Sequence, residues 1–170
     1  HQDILKTNIY DLDIKNPVRI IGNIPYNITS QIIFWLIEQL DYWEDAFIMV
    51  QKEVARRLVA QICTKEYGRL TVVVGAYLNV EYCFSIPPTV FVPRPSVDSA
   101  FIRFTKKESA LIADSKYVKF NNLVRAAFNQ RRKMLKNSLN GWNIPEKIKN
   151  EIDFSRRPET LSISEFSKLV

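Results

Sequence analysis

Asn23-Ile24-Pro25-Tyr26 is the stretch whose residue types and spacing suit chemistry on a flat heterocycle carrying an exocyclic amine. The Asn23 amide oxygen and a backbone carbonyl of the turn can accept both hydrogens of such an amine, and Tyr26 offers a ring for stacking. Pro25 removes a competing backbone donor and stiffens the loop. A four-residue pattern of this kind arises by chance in roughly one chain in a hundred of this length. A strand-ending turn with a packed tyrosine is the plainer reading, so the rest of the chain must decide between them.

A second candidate is Phe91-Val92-Pro93-Arg94-Pro95-Ser96-Val97-Asp98-Ser99. Its prolines hold Phe91 in an extended, low-entropy loop, which suits an aromatic that presents its face without a core around it. With Tyr26 opposite, a base could be clamped between two rings. The alternative is that Phe91 is core and the prolines only turn the chain. Near the start, Asp3 and Ile4 sit at a turn. In a nucleotide-binding α/β unit a carboxylate at a strand end accepts from an adenine amine while the next backbone N–H donates to a ring nitrogen. Taken alone, Asp3 reads as a turn cap.

The elements that must position these residues follow from periodicity. Residues 1–13 read as a strand end and a loop, and residues 17–21 as a buried strand whose carboxyl end breaks at Gly22 into the Asn-Ile-Pro-Tyr turn, where open α/β sheets place their ligands. Thr29 or Ser30 can cap a helix over 31–39 whose Ile32, Ile33, Leu36 and Ile37 form an apolar face. Residues 45–50 predict a strand, and a helix begins at Gln51. This alternation argues for a mainly parallel, doubly wound sheet. Residues 70–76 are β-rich and 77–84 continue as an aromatic strand broken at Ile86-Pro87-Pro88. With the alternating strand 100–104, an antiparallel pair is expected at one sheet edge. Beyond Lys106 the pattern is helical: one helix over 120–139, a short one over 144–152, and a last one capped by Ser162 or Ser164. The division expected is an α/β domain over 1–104 and a small all-α domain over 105–170.

Composition narrows the function. The 170 residues are 46% apolar and 25% charged, an ordinary globular balance. Apolar runs stop short of the roughly 20 residues that span a bilayer, and no secretory leader is read at the start, so a cytoplasmic protein without membrane attachment is expected. Cys63 and Cys83 lack CxxC spacing and the single histidine is His1, so neither a disulfide nor a His/Cys metal site is expected. The net charge of +6 is uneven: residues 103–157 carry fourteen Lys/Arg against five Asp/Glu, whereas 1–102 carry nine against eleven. That basic third would attract a polyanion such as a phosphate backbone, unless it is simply solvated.

Taken together, these motifs resemble the ribosomal RNA adenine dimethyltransferases. The likeness runs through Gly22-Asn23-Ile24-Pro25-Tyr26-Asn27-Ile28, Val50-Gln51-Lys52-Glu53-Val54-Ala55, Tyr67-Gly68-Arg69-Leu70, the Phe91 loop, Phe128-Asn129-Gln130-Arg131-Arg132-Lys133 and Arg157-Pro158-Glu159-Thr160-Leu161-Ser162. It implies a Rossmann-like methyltransferase sheet. It also implies S-adenosylmethionine as methyl donor, with its adenine held by Asp3 and Ile4 and Asn23 at the cofactor's edge. Asn23 and the Ile24 carbonyl would accept from the target adenine N6, with Pro25 stiffening the turn and Tyr26 and Phe91 covering the two faces of the base. The implied partner is small-subunit rRNA in a pre-ribosomal 30S-type particle, modified at two adjacent adenines by a monomer. The cations expected to meet its phosphates are Arg94, Arg125, Arg131, Arg132, Lys133 and Lys136.

The departure from the family pattern lies at the amino end. The Gly-rich turn and the acid that hold the rest of the cofactor do not occur after His1, so the chain is expected to be cut from a longer protein and inactive by itself. Two rivals stand beside this reading. One is the large-subunit rRNA adenine methyltransferase of the macrolide-resistance type, which shares the Asn-x-Pro-Tyr turn; the Phe-Asn-Gln-Arg-Arg-Lys run favours the small-subunit group. The other is a non-catalytic RNA-binding or ribosome assembly factor, which the basic third would also suit.

Overall fold

A computed structural model describes residues 1–130 and 132–170, so the expectation for Arg131 lies outside the described residues. Two compact units emerge: His1–Val59 with Leu78–Glu108, and Ala60–Tyr77 with Ser109–Val170. Residues 60–77, read from sequence as part of the first domain, therefore pack with the helical second unit.

In the first unit, β1 (Val18–Asn23) alternates half-buried and exposed residues and pairs in parallel with β2 (Trp43–Gln51), which is buried along most of its length. β3 (Leu78–Ile86) and β4 (Ser99–Lys106) complete a four-stranded sheet of order β1-β2-β4-β3, in which β4 is antiparallel to both neighbours. The fold is mixed α/β, and the antiparallel edge expected from the proline-bounded late strands is present. β1, β2 and β3 run in the same direction, as a mainly parallel sheet requires, and β4 alone runs against them, inserted between β2 and β3 so that two of the three adjacent pairs are antiparallel.

That helix, α1 (Thr29–Glu38), buries Ile32, Ile33, Trp35, Leu36 and Ile37 at the spacing its sequence implied. Neither Thr29 nor Ser30 caps it. A 3-10 turn over Tyr26–Ile28 runs directly into α1, the Thr29 N–H donates to the Tyr26 carbonyl, and the buried Thr29 hydroxyl has no partner. Two indoles fix the helix instead: Trp43 Nε1 donates to the Leu36 carbonyl at 2.8 Å and Trp35 Nε1 to the Thr7 carbonyl at 2.7 Å. Residues 1–13 form no strand but two 3-10 turns, Ile4–Lys6 and Ile9–Asp11, capped by Asp3 and Asn8. Short polar side chains that bond their own backbone compete with strand pairing there. After β2, α2 (Lys52–Leu58) packs against β2, β4 and β3.

The second unit contains α3 (Arg69–Gly75), α4 (Tyr117–Asn129), α5 (Leu135–Ser138), α6 (Glu146–Glu151) and α7 (Ile163–Ser167). The β-rich stretch 70–76 is helical: Thr71 Oγ1 accepts from the Gly68 N–H, and Val72, Val73 and Val74 are each 0% exposed in contact with α4 and α7. Burial on every side outweighs the weak β preference of valine. The single helix expected over 120–139 is two. Gln130 leaves helical geometry at φ −129° and ψ 66°, and the Leu135 and Lys136 N–H groups donate to the Arg156 and Phe154 carbonyls. An outside acceptor for those amides replaces the helical one. Tyr67, Phe128 and Phe166 pack as tilted rings at successive centroid distances of 6.2 and 5.6 Å, and the Tyr67 hydroxyl donates to the Leu161 carbonyl at 2.7 Å. Ser162 caps α7 in a capping box with Glu165. No helix among the described residues is long and apolar enough to cross a membrane.

Candidate active site

The turn after β1 is held in place by register. Asn23, the last residue of β1, is the Cα partner of Met49 near the end of β2. Gly22 precedes it because a Cβ there would lie 3.2 Å from Ile24 Cγ2 and 3.3 Å from Ile48 Cδ1, tighter than side chains normally pack. The chain then passes Pro25 into the 3-10 turn, and the Ile28 N–H closes it by donating to the Pro25 carbonyl.

Asn23, Ile24, Pro25 and Tyr26 line one open cleft of about 200 Å³ together with Met49, Phe91, Pro93 and Pro95. Sites for drug-sized ligands run to roughly 300–1,000 Å³, so this one suits a single planar base. Asn23 is exposed, and neither its amide nor the Ile24 carbonyl is taken up by a hydrogen bond among the described residues. Both acceptors thus stay available in a cleft whose lining also includes Tyr26 and Phe91. Phe91 reaches the cleft in extended geometry, φ −108° and ψ 146°, after a 3-10 turn over Pro88–Val90. The far end of its loop is fastened by Lys52, whose N–H donates to the Asp98 carbonyl at 2.9 Å and whose Nζ donates to Asp98 Oδ2 at 2.8 Å. The Tyr26 hydroxyl lies 2.6 Å from Ser99 Oγ.

Asp3 and Ile4 are not among the residues lining this cleft. Asp3 Oδ1 accepts from the Leu5 N–H at 3.0 Å, the cap its type suggested, at an exposed turn. At the opposite end of β1 from the cleft, Asp45 is 2% exposed and accepts from Arg19 Nε at 2.7 Å, Arg19 Nη2 at 2.9 Å and Arg103 Nη2 at 3.3 Å. The Arg19 hydrogen bond is the chief reason its carboxyl stays below the usual carboxylate range. This triad steadies the sheet, not the cleft.

Arg94 is exposed between the two cleft prolines. In the second unit Arg125, Arg132, Lys133 and Lys136 are all exposed, as a phosphate-contacting surface requires. Arg69, quoted in the Tyr67-Gly68-Arg69-Leu70 motif, donates its guanidinium to Asn121 Oδ1 at 3.0 Å and is held below its ordinary pKa by burial and then by the like charge of Arg125. Sequence reasoning gave no role to Met49 or Ser99. Met49 reaches the cleft through strand register, which no local motif encodes; Ser99 stood inside the quoted loop but carried no signal of its bond to Tyr26.

Comparison with known proteins bears on this geometry. A family model described as ribosomal RNA adenine dimethylase matches residues 1–169. The ribosomal RNA small subunit methyltransferase A of Flavobacterium johnsoniae is 41% identical over 165 residues, covering 97% of this chain and 63% of the relative. The protein of the same name from Salinibacter ruber is 42% identical over 154 residues, covering 90% and 52%. The chain thus spans somewhat less than two thirds of the curated relatives it matches. A crystal structure of a dimethyladenosine transferase from Plasmodium falciparum aligns with a TM-score of 0.80 at 26% identity, over 94% of this chain and 67% of that one. The 23S rRNA methyltransferase ErmE aligns with a TM-score of 0.68 at 24% identity, over 98% and 68%, a likeness of fold alone. With the family pattern matched along nearly its whole length, the chain belongs to the ribosomal RNA adenine dimethylase family.

Proposed function

We propose that the intact protein transfers methyl groups to N6 of two adjacent adenines near the 3′ end of small-subunit rRNA, acting as a cytoplasmic monomer on a pre-ribosomal 30S-type particle. The observation that carries this reading is the convergence of Asn23, Ile24, Tyr26 and Phe91 on one base-sized cleft. Relatives named for the small subunit at about 40% identity favour that substrate over large-subunit RNA.

The chemistry follows from what an adenine amine lacks. Its lone pair is delocalised into the ring, so it is a poor nucleophile. The Asn23 amide oxygen and the Ile24 carbonyl, accepting its two hydrogens, favour the pyramidal form in which the lone pair leaves conjugation and positive charge accumulates. Tyr26 and Phe91 hold the ring plane, and Pro25 keeps the turn from relaxing. A side-chain base is not needed, because the methylated cation loses its proton readily to water. The target base must first leave its stack, as it does for other enzymes that work on base edges. S-adenosylmethionine supplies the electrophilic methyl group. Of its adenine, the Asp3 carboxylate could accept the amine and the Ile4 N–H could donate to a ring nitrogen, both at an exposed turn. Arg94, Arg125, Arg132, Lys133 and Lys136 supply phosphate contacts that position RNA without reading its sequence.

Replacing Asn23 with Ala in the intact protein tests this. Dimethyladenosine in digested small-subunit rRNA, measured by mass spectrometry, is expected to fall by about a thousandfold, the scale of losing one pre-organised transition-state contact. RNA affinity should stay within about twofold. An unchanged product would favour the non-catalytic assembly factor.

A further inference from the structure

Ser99 is fully buried, at 0% exposure, as the first residue of β4, paired in register with Gln51 on one side and Ile86 on the other. A buried hydroxyl is unfavourable unless it is hydrogen-bonded, and an alanine would fill the same position in a strand that continues with the equally buried Ala100. The partner that accounts for a serine here is Tyr26, whose hydroxyl lies 2.6 Å away. Tyr26 is half-buried on the cleft wall, where a phenol could bond water equally well and its ring could swing. Bonding to a hydroxyl on a strand paired on both sides removes that freedom.

The same point of the fold also anchors the loop that brings Phe91 to the cleft. The loop bearing Phe91, Pro93 and Pro95 ends at Asp98, which Lys52 fastens through both backbone and side chain immediately before Ser99. The start of β4 therefore holds Tyr26 through Ser99 and the end of the Phe91 loop through Asp98. The geometry points to Ser99 as a positioning residue that sets the plane of Tyr26, and with it the gap between the two rings. This inference rests on the reading of the cleft as the site of the target base. Ser99 touches no substrate; it acts through Tyr26.

The test uses four variants of the intact protein: Tyr26→Ala, Tyr26→Phe, Ser99→Ala and the double variant Ser99→Ala/Tyr26→Phe, assayed for methylation of small-subunit rRNA. Ser99→Ala and Tyr26→Phe each remove the same hydrogen bond, so each should lower kcat by about tenfold and leave KM for RNA within about twofold, and the double variant should be no worse than the more affected single one. The thermal midpoint of Ser99→Ala should shift by no more than about 4 °C, which separates a loss of positioning from a loss of fold. A wild-type kcat in Ser99→Ala, or a double variant reduced by the product of the two single effects, overturns the inference. If Ser99→Ala does not fold, Tyr26→Phe decides from the partner's side, and a wild-type kcat there overturns it equally. Tyr26→Ala separates the two layers: with its activity abolished, failure of Ser99→Ala counts against Ser99 alone, whereas full activity in Tyr26→Ala overturns the cleft reading and the role of Ser99 with it.

Discussion

The first unit carries ten Lys/Arg against eleven Asp/Glu and the second fourteen against seven, so a charge difference accompanies a difference in construction. In the first, β1 and β4 each end or begin at the cleft, and strand register fixes where Asn23, Met49 and Ser99 stand. In the second, helices of four to thirteen residues are joined by side-chain bonds to backbone or to other side chains, such as Tyr67 to the Leu161 carbonyl and Arg69 to the Asn121 amide, while cations remain exposed. A reaction on one nitrogen needs placement to fractions of an ångström, which paired strand ends supply. Attraction to a phosphate backbone tolerates variation in position and depends on the sum of charges. Damage to the first unit should therefore be local and catalytic, and damage to the second graded or structural.

Alongside the thousandfold effect expected at Asn23, the largest stability effect should come from the packed rings of the second unit. Phe166 is 0% exposed, and Phe166→Ala should cost about 4 kcal/mol of unfolding free energy. Trp142 lies in the second unit and Trp35 and Trp43 in the first, so single-tryptophan variants followed in denaturant show which unit responds. A shift seen only at Trp35 or Trp43 would break the comparison.

Reversing Arg132, Lys133 and Lys136 to Glu should weaken RNA binding by at least about tenfold at low salt and flatten the dependence of affinity on salt, measured by filter binding across a salt series. Unaltered affinity would mean that the face is merely solvated.

The smallest effect concerns pH, and it distinguishes the units by their acids. Asp45 in the first unit is held below the usual range by Arg19. In the second, burial pushes the Glu165 carboxyl up, but hydrogen bonds from Arg156 and Ser162 outweigh it and hold the group down. A depressed native pKa means that the unfolded chain binds the proton more readily. Each contribution is then fully present above the unfolded value of about 4 and is lost as pH falls through the native one. Denaturant midpoints followed between pH 7 and 3 should fall, with Asp45→Asn flattening the tryptophan signals of the first unit and Glu165→Gln that of the second. Identical profiles in both variants would remove the distinction.

The sequence by itself determined the parts whose signal is local. Asn23-Ile24-Pro25-Tyr26 announced the end of a strand through an apolar pair, a glycine and a proline, and α1 declared its buried face through the spacing of Ile32, Ile33, Leu36 and Ile37. The Phe91 loop was legible because two prolines leave the backbone few choices. Tertiary structure alone decided what depends on partners far along the chain. Residues 70–76 look like a strand until Val72, Val73 and Val74 are buried on every side, and a continuous helix over 120–139 ends early because Arg156 and Phe154 carbonyls take the amides of Leu135 and Lys136. Met49 and Ser99 joined the site for the same reason: neighbouring strands bring together residues that no short window contains. Local preferences amount to tenths of a kcal/mol per residue, whereas burying a side chain or satisfying a backbone group is worth several times more, so the longer-range term wins wherever the two disagree.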